Sequence, residues 1–474
     1  MAAAPETTYS GPEVCRLTAR QAIAALKTGE VTVAELIDAS LSRIEQSSPA
    51  INAMVATCAE RAYEAAKSAD RSSVLAGLPI GIKDLTPVAG VRTTWGTPAL
   101  ADFIPDASDP LVLRLESRGG VVIGKTNTPE MGAGANTFNP VYGPTHNPWN
   151  TKMNAGGSSG GAAAGLATGE VWLSHGSDLG GSLRTPASFC GIVGLRPSPG
   201  VALGGGPNTF DTLPVQGPMA RNVADCALFL DAMAGFDPTS AVSYPAPAQS
   251  YLDACLADAG TIRIGFSADL GGLAPVTSEM EGILRAGLTA IAGEGVSVED
   301  AAPPLKDADT CFRALRALGF WAQARKTPER ITKHYKPTLL QNIEDGRALK
   351  TEDLAEAITT RSRLYQDMRG FLSGMDVLAC PVSGLPPLPQ SVEYPTEVAG
   401  VPSKDYLSWL VFAYPATLCG LPALSLPLGF TDSGLPVGIQ LIGQPRGEAR
   451  LLQVARALEE RIGFAQTPID PIPG

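Results

Sequence analysis

GGSSGGAAAGLATGEVWLSHGSDLGGSLRTP, residues Gly156–Pro186, is the stretch whose reading decides the fold and the chemistry of this chain. It holds two glycine-rich turns, Gly156-Gly157-Ser158-Ser159-Gly160-Gly161 and Gly180-Gly181-Ser182, joined by an Ala-rich helical run and a short apolar strand. Glycine lets backbone N–H groups approach a neighbour or ligand closely. A serine in a single turn of this kind is a turn former. Two such turns, linked by helix and strand, make nucleophilic chemistry the sharper reading.

Working outward, alternating strands and helices predict an α/β fold. Upstream, amphipathic helices are expected over 18–28 and 33–46. Thr32 and Glu35 form a T-x-x-E capping box at the start of the second, and Leu36, Ile37, Leu41 and Ile44 lie on one face. A strand near 53–56, an Ala-rich helix through Lys67, and the strand Pro79-Ile80-Gly81-Ile82 ending on Lys83 follow. Next come a helix over 108–118, the strand Val121-Val122-Ile123, and a polar turn from Gly124 to Asn127. Downstream we expect a Gly/Pro loop over 197–218, a helix over 222–234, and a linker over 237–249 rich in Pro, Ser and Ala. A strand over 262–266 then leads into helices as far as Phe371, strands over 376–380, 424–428 and 437–442, and a last helix over 448–461.

The 474 residues are 44% hydrophobic and 18% charged, a composition of compact globular chains. A net charge of −11 opposes a nucleic-acid surface or a basic membrane patch, which need clustered Lys and Arg. The eight cysteines are scattered with no C-x-x-C pair and read as buried thiols in a reducing compartment. Three histidines, His146, His175 and His334, are too few for a His-rich metal site and lack H-E-x-x-H spacing. No metal and no cofactor are expected. The first residues, MAAAPETTYSGPE, show neither a basic region nor an apolar one, and no window reaches the roughly 18 apolar residues of a span. The expected location is cytoplasmic.

Two motifs point elsewhere. Gly119–Thr126 fits G-x-x-x-x-G-K-[ST], which would make the protein a nucleotide binder with Lys125 on the phosphates. Val121-Val122-Ile123 reads as strand inside that supposed loop, which argues against it. Gly157–Gly161 fits G-x-S-x-G, a nucleophile elbow that needs a strand before it and a histidine base such as His334. Residues 147–155 read instead as a polar loop, and His334 sits in a Lys-rich helical stretch. His175 falls on or just past a strand over 171–174 and reads as a packed, hydrogen-bonded residue. A serine nucleophile then needs another base, and a lysine serves if burial lowers its pKa. Lys83 is the candidate. Strand alternation sends it to the face opposite Asp84, so the adjacent carboxylate need not pair with it.

Gly81-Ile82-Lys83-Asp84, GGSSGG from Gly156, and the run Ser177–Ala187 together resemble the amidase signature family. Residues 124–130, 147–149, 191–197 and the tail Gly420–Pro427 carry the resemblance further. It implies a single domain over 1–474: an N-terminal helical part (1–70), a signature core (75–235), a helical variable half (236–375), and C-terminal strands and helix (376–474). The implied fold is a large mixed, mostly parallel, twisted sheet with helices on both faces. The implied function is hydrolysis of a carboxylic amide through a Ser–Ser–Lys triad, with ester cleavage as a side activity. Ser182 aligns with the nucleophile, Ser158 with the bridging serine on a non-proline cis peptide, and Lys83 with the base. Backbone N–H groups of Leu179, Gly180, Gly181 and Ser182 align with the oxyanion hole, and Ser159, Asp178 and Arg184 with supporting positions. Activity is expected to rise toward mildly alkaline pH. Leu179 stands where many members have Thr, and Ala162 where many have Ser. The amidase component of a glutamine-dependent tRNA amidotransferase is the competing reading. The expected partner is a small-molecule amide, with no nucleic acid and no membrane; a homodimer is left open. Trp95, Phe138, Tyr142, Trp321 and Phe412 are candidates for an acyl pocket and equally for core.

Overall fold

A computed structural model describes residues 4–204 and 208–474. Eleven strands form its main sheet: β1 (Met54–Thr57), β2 (Pro79–Lys83), β3 (Val121–Thr126), β4 (Leu173–Asp178), β5 (Val193–Arg196), β6 (Val215–Ala220), β7 (Ile262–Phe266), β8 (Val296–Asp300), β9 (Val377–Pro381), β10 (Ala423–Phe430) and β11 (Pro436–Gly443). Their order across the sheet is β1-β3-β2-β4-β6-β5-β10-β11-β9-β7-β8. The sheet is mixed, as expected, but its pairings are not mostly parallel. Only β2–β3, β2–β4, β7–β9 and β7–β8 run parallel. The reason is local: β6 returns between β4 and β5, and β10–β11 is a tight hairpin, so both sit antiparallel to their neighbours.

Alternation along the strands divides the core into two. Val377 and Ala379 of β9, Leu424 and Leu426 of β10, and Val437 and Ile439 of β11 face one apolar cluster. Helices Val223–Met233, Ser278–Ile291 and Glu448–Ile462 cover that cluster. Leu378 and Cys380, the intervening residues of β9, face a second cluster under helices Ala308–Ala324, Thr351–Leu372 and Tyr414–Cys419. Helices thus flank both faces. Because the sheet is covered on each side, β9, β10 and β11 are buried along their full length.

The N-terminal helices start where their caps predict. Thr18 Oγ1 accepts from Gln21 N at 3.2 Å and opens Ala19–Thr28; Thr32 Oγ1 accepts from Glu35 N at 3.2 Å and opens Val33–Ile51. The second helix runs five residues past the expected Gln46. Pro49 does not stop it, and Asn52, at φ 52°, does. Other boundaries differ as well. Gly124 to Thr126, expected as a turn, continues β3. Val215–Pro218, expected as loop, lies in β6. Val296–Asp300, expected among helices, is an edge strand parallel to β7 with Ser297, Glu299 and Asp300 open or partly open to solvent. Among the described residues no helix is long and apolar enough to cross a membrane.

Candidate active site

The site forms at the carboxyl ends of the parallel neighbours β2 and β4, the place where α/β sheets leave room for ligands. Lys83 is the last residue of β2 and is fully buried. Its Nζ lies 2.7 Å from Ser158 Oγ, 2.8 Å from Ser159 Oγ and 3.1 Å from Ser177 Oγ. Those hydroxyls come from one turn and one strand. Ser158 and Ser159 precede the helix Gly160–Thr168, every residue of which is buried, and Ser177 lies near the end of β4. The glycines of this turn let it pack closely on its neighbours: a Cβ on Gly161 would meet Asn127 N at 2.2 Å. The Gly157–Ser158 peptide is cis.

Burial in this wall pushes the Lys83 ammonium down to about 7, while the charge on Asp178 pulls it back upward. Asp84, the next residue in sequence, turns away as alternation requires and accepts from Thr94 Oγ1 at 2.6 Å. Asp178 itself organises the second turn. It accepts from Gly181 N at 3.1 Å and Leu183 N at 3.1 Å, and Arg184 grips both its oxygens at 2.7 and 3.0 Å. Burial opposes its charge, but Arg184 and then Arg196 outweigh that and hold the carboxyl far below its usual range. Arg184 is wholly buried, its remaining Nη1 given to Gln440, and it holds the turn rather than lining the cavity.

A cavity of about 220 Å³ opens over these groups. Ser158, Ser177, Leu179, Gly180 and Ser182 line one side. Ser159 N donates to Ser182 O at 3.2 Å, tying the two turns together. Among the described residues no hydrogen bond joins the Ser158 and Ser182 hydroxyls. Of the four backbone donors singled out in the sequence, Gly181 N–H is already taken by Asp178, whereas those of Leu179, Gly180 and Ser182 have no partner among the described residues.

The rival motifs do not reach this cavity. Lys125 sits within β3, not in a phosphate loop; its Nζ meets Thr86 O at 2.5 Å, Thr93 Oγ1 at 2.9 Å and Asp84 Oδ1 at 3.5 Å. The P-loop reading is overturned, because a strand commits its backbone N–H groups to the sheet ladder. The elbow reading fails as well. Asn150–Asn154, expected as loop, is a short strand paired with His146–Asn147 outside the main sheet, and His334 is exposed between two helices, away from the cavity. His175, within β4, is packed under Lys83. Its Nδ1 lies 3.4 Å from Lys83 N and its Nε2 2.5 Å from Gln216 Oε1, and burial lowers its pKa to about 3. None of Trp95, Phe138, Tyr142, Trp321 and Phe412 lines the cavity. Sequence reading missed the helix face that does: Leu315, Arg316, Gly319, Phe320 and Gln323. These follow i, i+4 spacing, which leaves Trp321 on another face beside Arg325. Ser177 was also missed as a partner of Lys83, although it stands one residue before Asp178 in the quoted stretch.

A buried lysine on three hydroxyls, a cis Gly–Ser bond and a glycine turn braced by Asp178 coincide with a match of residues 35–452 to the family model described as Amidase. The chain belongs to the amidase signature family. It is 35% identical to a glutamyl-tRNA(Gln) amidotransferase component from Anaeromyxobacter dehalogenans (strain 2CP-C), over 97% of this chain and 99% of that one. It is 33% identical to the acylamidase of Rhodococcus erythropolis, over 94% and 95% of the two chains. Among solved structures, a bacterial aryl acylamidase of the amidase signature family superposes with a TM-score of 0.87 at 26% identity, covering 95% of this chain and 97% of that one. The eleven-stranded mixed sheet between helical layers is thus the fold of an amidase signature enzyme.

Proposed function

We propose that this amidase-family chain hydrolyses a carboxylic amide to acid and amine or ammonia through an acyl-enzyme on Ser182. Lys83 Nζ at 2.7 Å from Ser158 Oγ, buried and with its pKa pushed down to about 7, carries this reading. A lysine that is neutral near pH 7 can take a proton, and its contact with Ser158 supports a relay from Ser182. Ser182 Oγ then attacks the carbonyl carbon; the C–O bond forms as the carbonyl electrons move onto oxygen. Backbone N–H groups of Leu179, Gly180 and Ser182 are the donors that suit this oxyanion, each worth about 3 kcal/mol when fixed in place. Gly181 contributes by shaping the turn, its own N–H being held by Asp178. Collapse of the intermediate breaks the C–N bond, with the relayed proton going to nitrogen. Water, deprotonated by the same relay, releases the acid. Esters share the acyl chemistry and are expected as side substrates. Ser182→Ala should lower amide hydrolysis by about 10⁴-fold or more and abolish covalent labelling by a fluorophosphonate. An active or still-labelled Ser182→Ala protein would sink the proposal.

The amidotransferase reading has one specific support, the 35% identity to the Anaeromyxobacter protein. On that reading the isolated chain would leave simple amides intact and release ammonia from glutamine only with partner proteins present. Turnover of anilides or aliphatic amides by the isolated chain decides against it.

A further inference from the structure

Arg316 is a cation set into the wall of the active-site cavity without an anionic partner. It lies on the cavity face of helix Ala308–Ala324 and is 4% exposed. A guanidinium does not shed its charge, so burial here must be offset by something. Three residues earlier on the same helix, Arg313 shows the usual solution, held by Asp309 at 2.9 Å and Asp405 at 2.5 Å. Arg316 has neutral partners instead: Nη1 donates to Asn342 Oδ1 and Nη2 to the Tyr406 hydroxyl. The rings of Phe320 and Tyr406 pack against it, 4.4 and 5.2 Å from its central carbon. Among the described residues no carboxylate oxygen lies within 4.0 Å of it. The guanidinium also carries more N–H donors than these two partners take up.

Two carboxylates, Asp178 and Asp211, also border the cavity, and neither pairs with Arg316. Asp178 belongs to Arg184 and Arg196. Asp211 accepts from Leu213 N at 3.0 Å and makes no ion pair with Arg316 or any other cation among the described residues. Arg316 supplies a positive charge with no ion pair of its own to a wall it shares with Leu315, Phe320, Gln323, Tyr406 and Leu410. A purely structural link between helices would work with a neutral side chain, without the cost of burying a charge. An anion entering the cavity is what the arrangement lacks.

We propose that Arg316 forms an anion subsite and that the amide cleaved here carries a carboxylate on the group that reaches helix Ala308–Ala324. This deepens the amide-hydrolase reading above and rests on it. The chain's net charge of −11 makes the local arrangement matter more, because the field of the whole molecule does not draw anions in.

The test is a matched pair of anilides, glutaric acid monoanilide and its neutral methyl-ketone isostere 5-oxohexananilide, both read by release of aniline. Wild type should favour the acid by about tenfold or more in kcat/KM, chiefly through KM. Asn342→Asp places a carboxylate on Arg316 at nearly unchanged volume and should bring the ratio close to parity. Arg316→Gln should do the same, and Arg316→Lys should keep part of the preference. A wild type with no preference for the acid, or a preference that survives Asn342→Asp, overturns the proposal even if Arg316→Gln fails to fold. Calorimetric binding of both anilides to Ser182→Ala protein separates the two levels of argument. Tighter binding of the acid, lost on adding Asn342→Asp, with no turnover by wild type, upholds the subsite and removes the hydrolase reading. Turnover of both anilides with equal binding upholds the hydrolase reading and removes the subsite.

Discussion

Lys83 and Lys125 stand at the ends of adjacent parallel strands, both at 0% exposure, with different surroundings. Lys83 is paired in register with Thr126, and Lys125 with Ile82, so the two ammonium groups leave opposite faces of the sheet. Burial lowers both, to about 7 for Lys83 and about 8 for Lys125, where Asp84 pulls upward. Their partners separate them. Lys125 is closed in by a carbonyl, a hydroxyl and the Asp84 carboxylate, all acceptors that favour its charged form. Lys83 is met by three hydroxyls, two of them, Ser158 and Ser177, on serines that line the cavity. Burial makes a lysine able to lose its proton; the partners decide whether that proton can go anywhere useful.

The largest effect should come from exchanging the fates of these two residues. Lys83→Ala should cut kcat/KM by about 10²- to 10⁴-fold, the range for a lost general base, while the protein stays folded. Lys125→Met should act on stability, costing about 3 to 5 kcal/mol because Asp84 is left buried without its cation. Denaturant melts and kinetics on both variants check the contrast. A Lys125→Met protein that is stable but inactive would break it. Adding Asp84→Asn to Lys125→Met should then return most of the lost stability, since no buried charge remains unpaired; a double variant as weak as the single one would show that the pair is held for its hydrogen bonds instead.

Part of this contrast was legible in the sequence. Period-two alternation at Ile80, Ile82 and Asp84 placed Lys83 away from the neighbouring carboxylate, and the glycine turns marked where backbone could approach. The capping box at Thr32 and Glu35 fixed a helix start to the residue. The reading failed where long-range packing decides. Gly124-Lys125 looks like a turn because its composition is that of a turn, yet β1 and β2 on either side hold it as strand. Val296–Asp300 is an edge strand whose outward residues blur the alternation, and only its pairing with β7 shows what it is. The face of helix Ala308–Ala324 that borders the cavity depends on packing against Pro337–Ala348 and Thr351–Leu372. No local pattern marks Arg316 over Arg313.

A smaller effect is the pH dependence. Amide hydrolysis should rise through about pH 7 as Lys83 loses its proton, falling about tenfold per unit below that point. The same group should be visible in stability. Its folded pKa of about 7 lies below the ordinary 10.5, so between those values the unfolded chain binds a proton that the folded one does not. Unfolding free energy should therefore rise with pH across that window in wild type relative to Lys83→Met. A rate profile flat from pH 6 to 10, or a stability difference that falls over the window, would contradict a buried neutral base.

The smallest expected effect isolates the hydroxyls that distinguish Lys83 from Lys125. Ser177 Oγ, 3.1 Å from Lys83 Nζ, is the longest of the three contacts and sits on a different strand from the lysine it touches. As an acceptor it stabilises the ammonium form, so removing it should make Lys83 easier to deprotonate. One hydrogen bond is worth about 0.5 to 1.5 kcal/mol net. At about 1.4 kcal/mol per pH unit, Ser177→Ala should move the midpoint of the rate profile down by about half a unit to one unit, leaving the alkaline plateau nearly unchanged. A midpoint that moves up would mean that Ser177 donates to a neutral amine, with Lys83 already deprotonated in the resting protein. The relay would then begin from Ser158 alone.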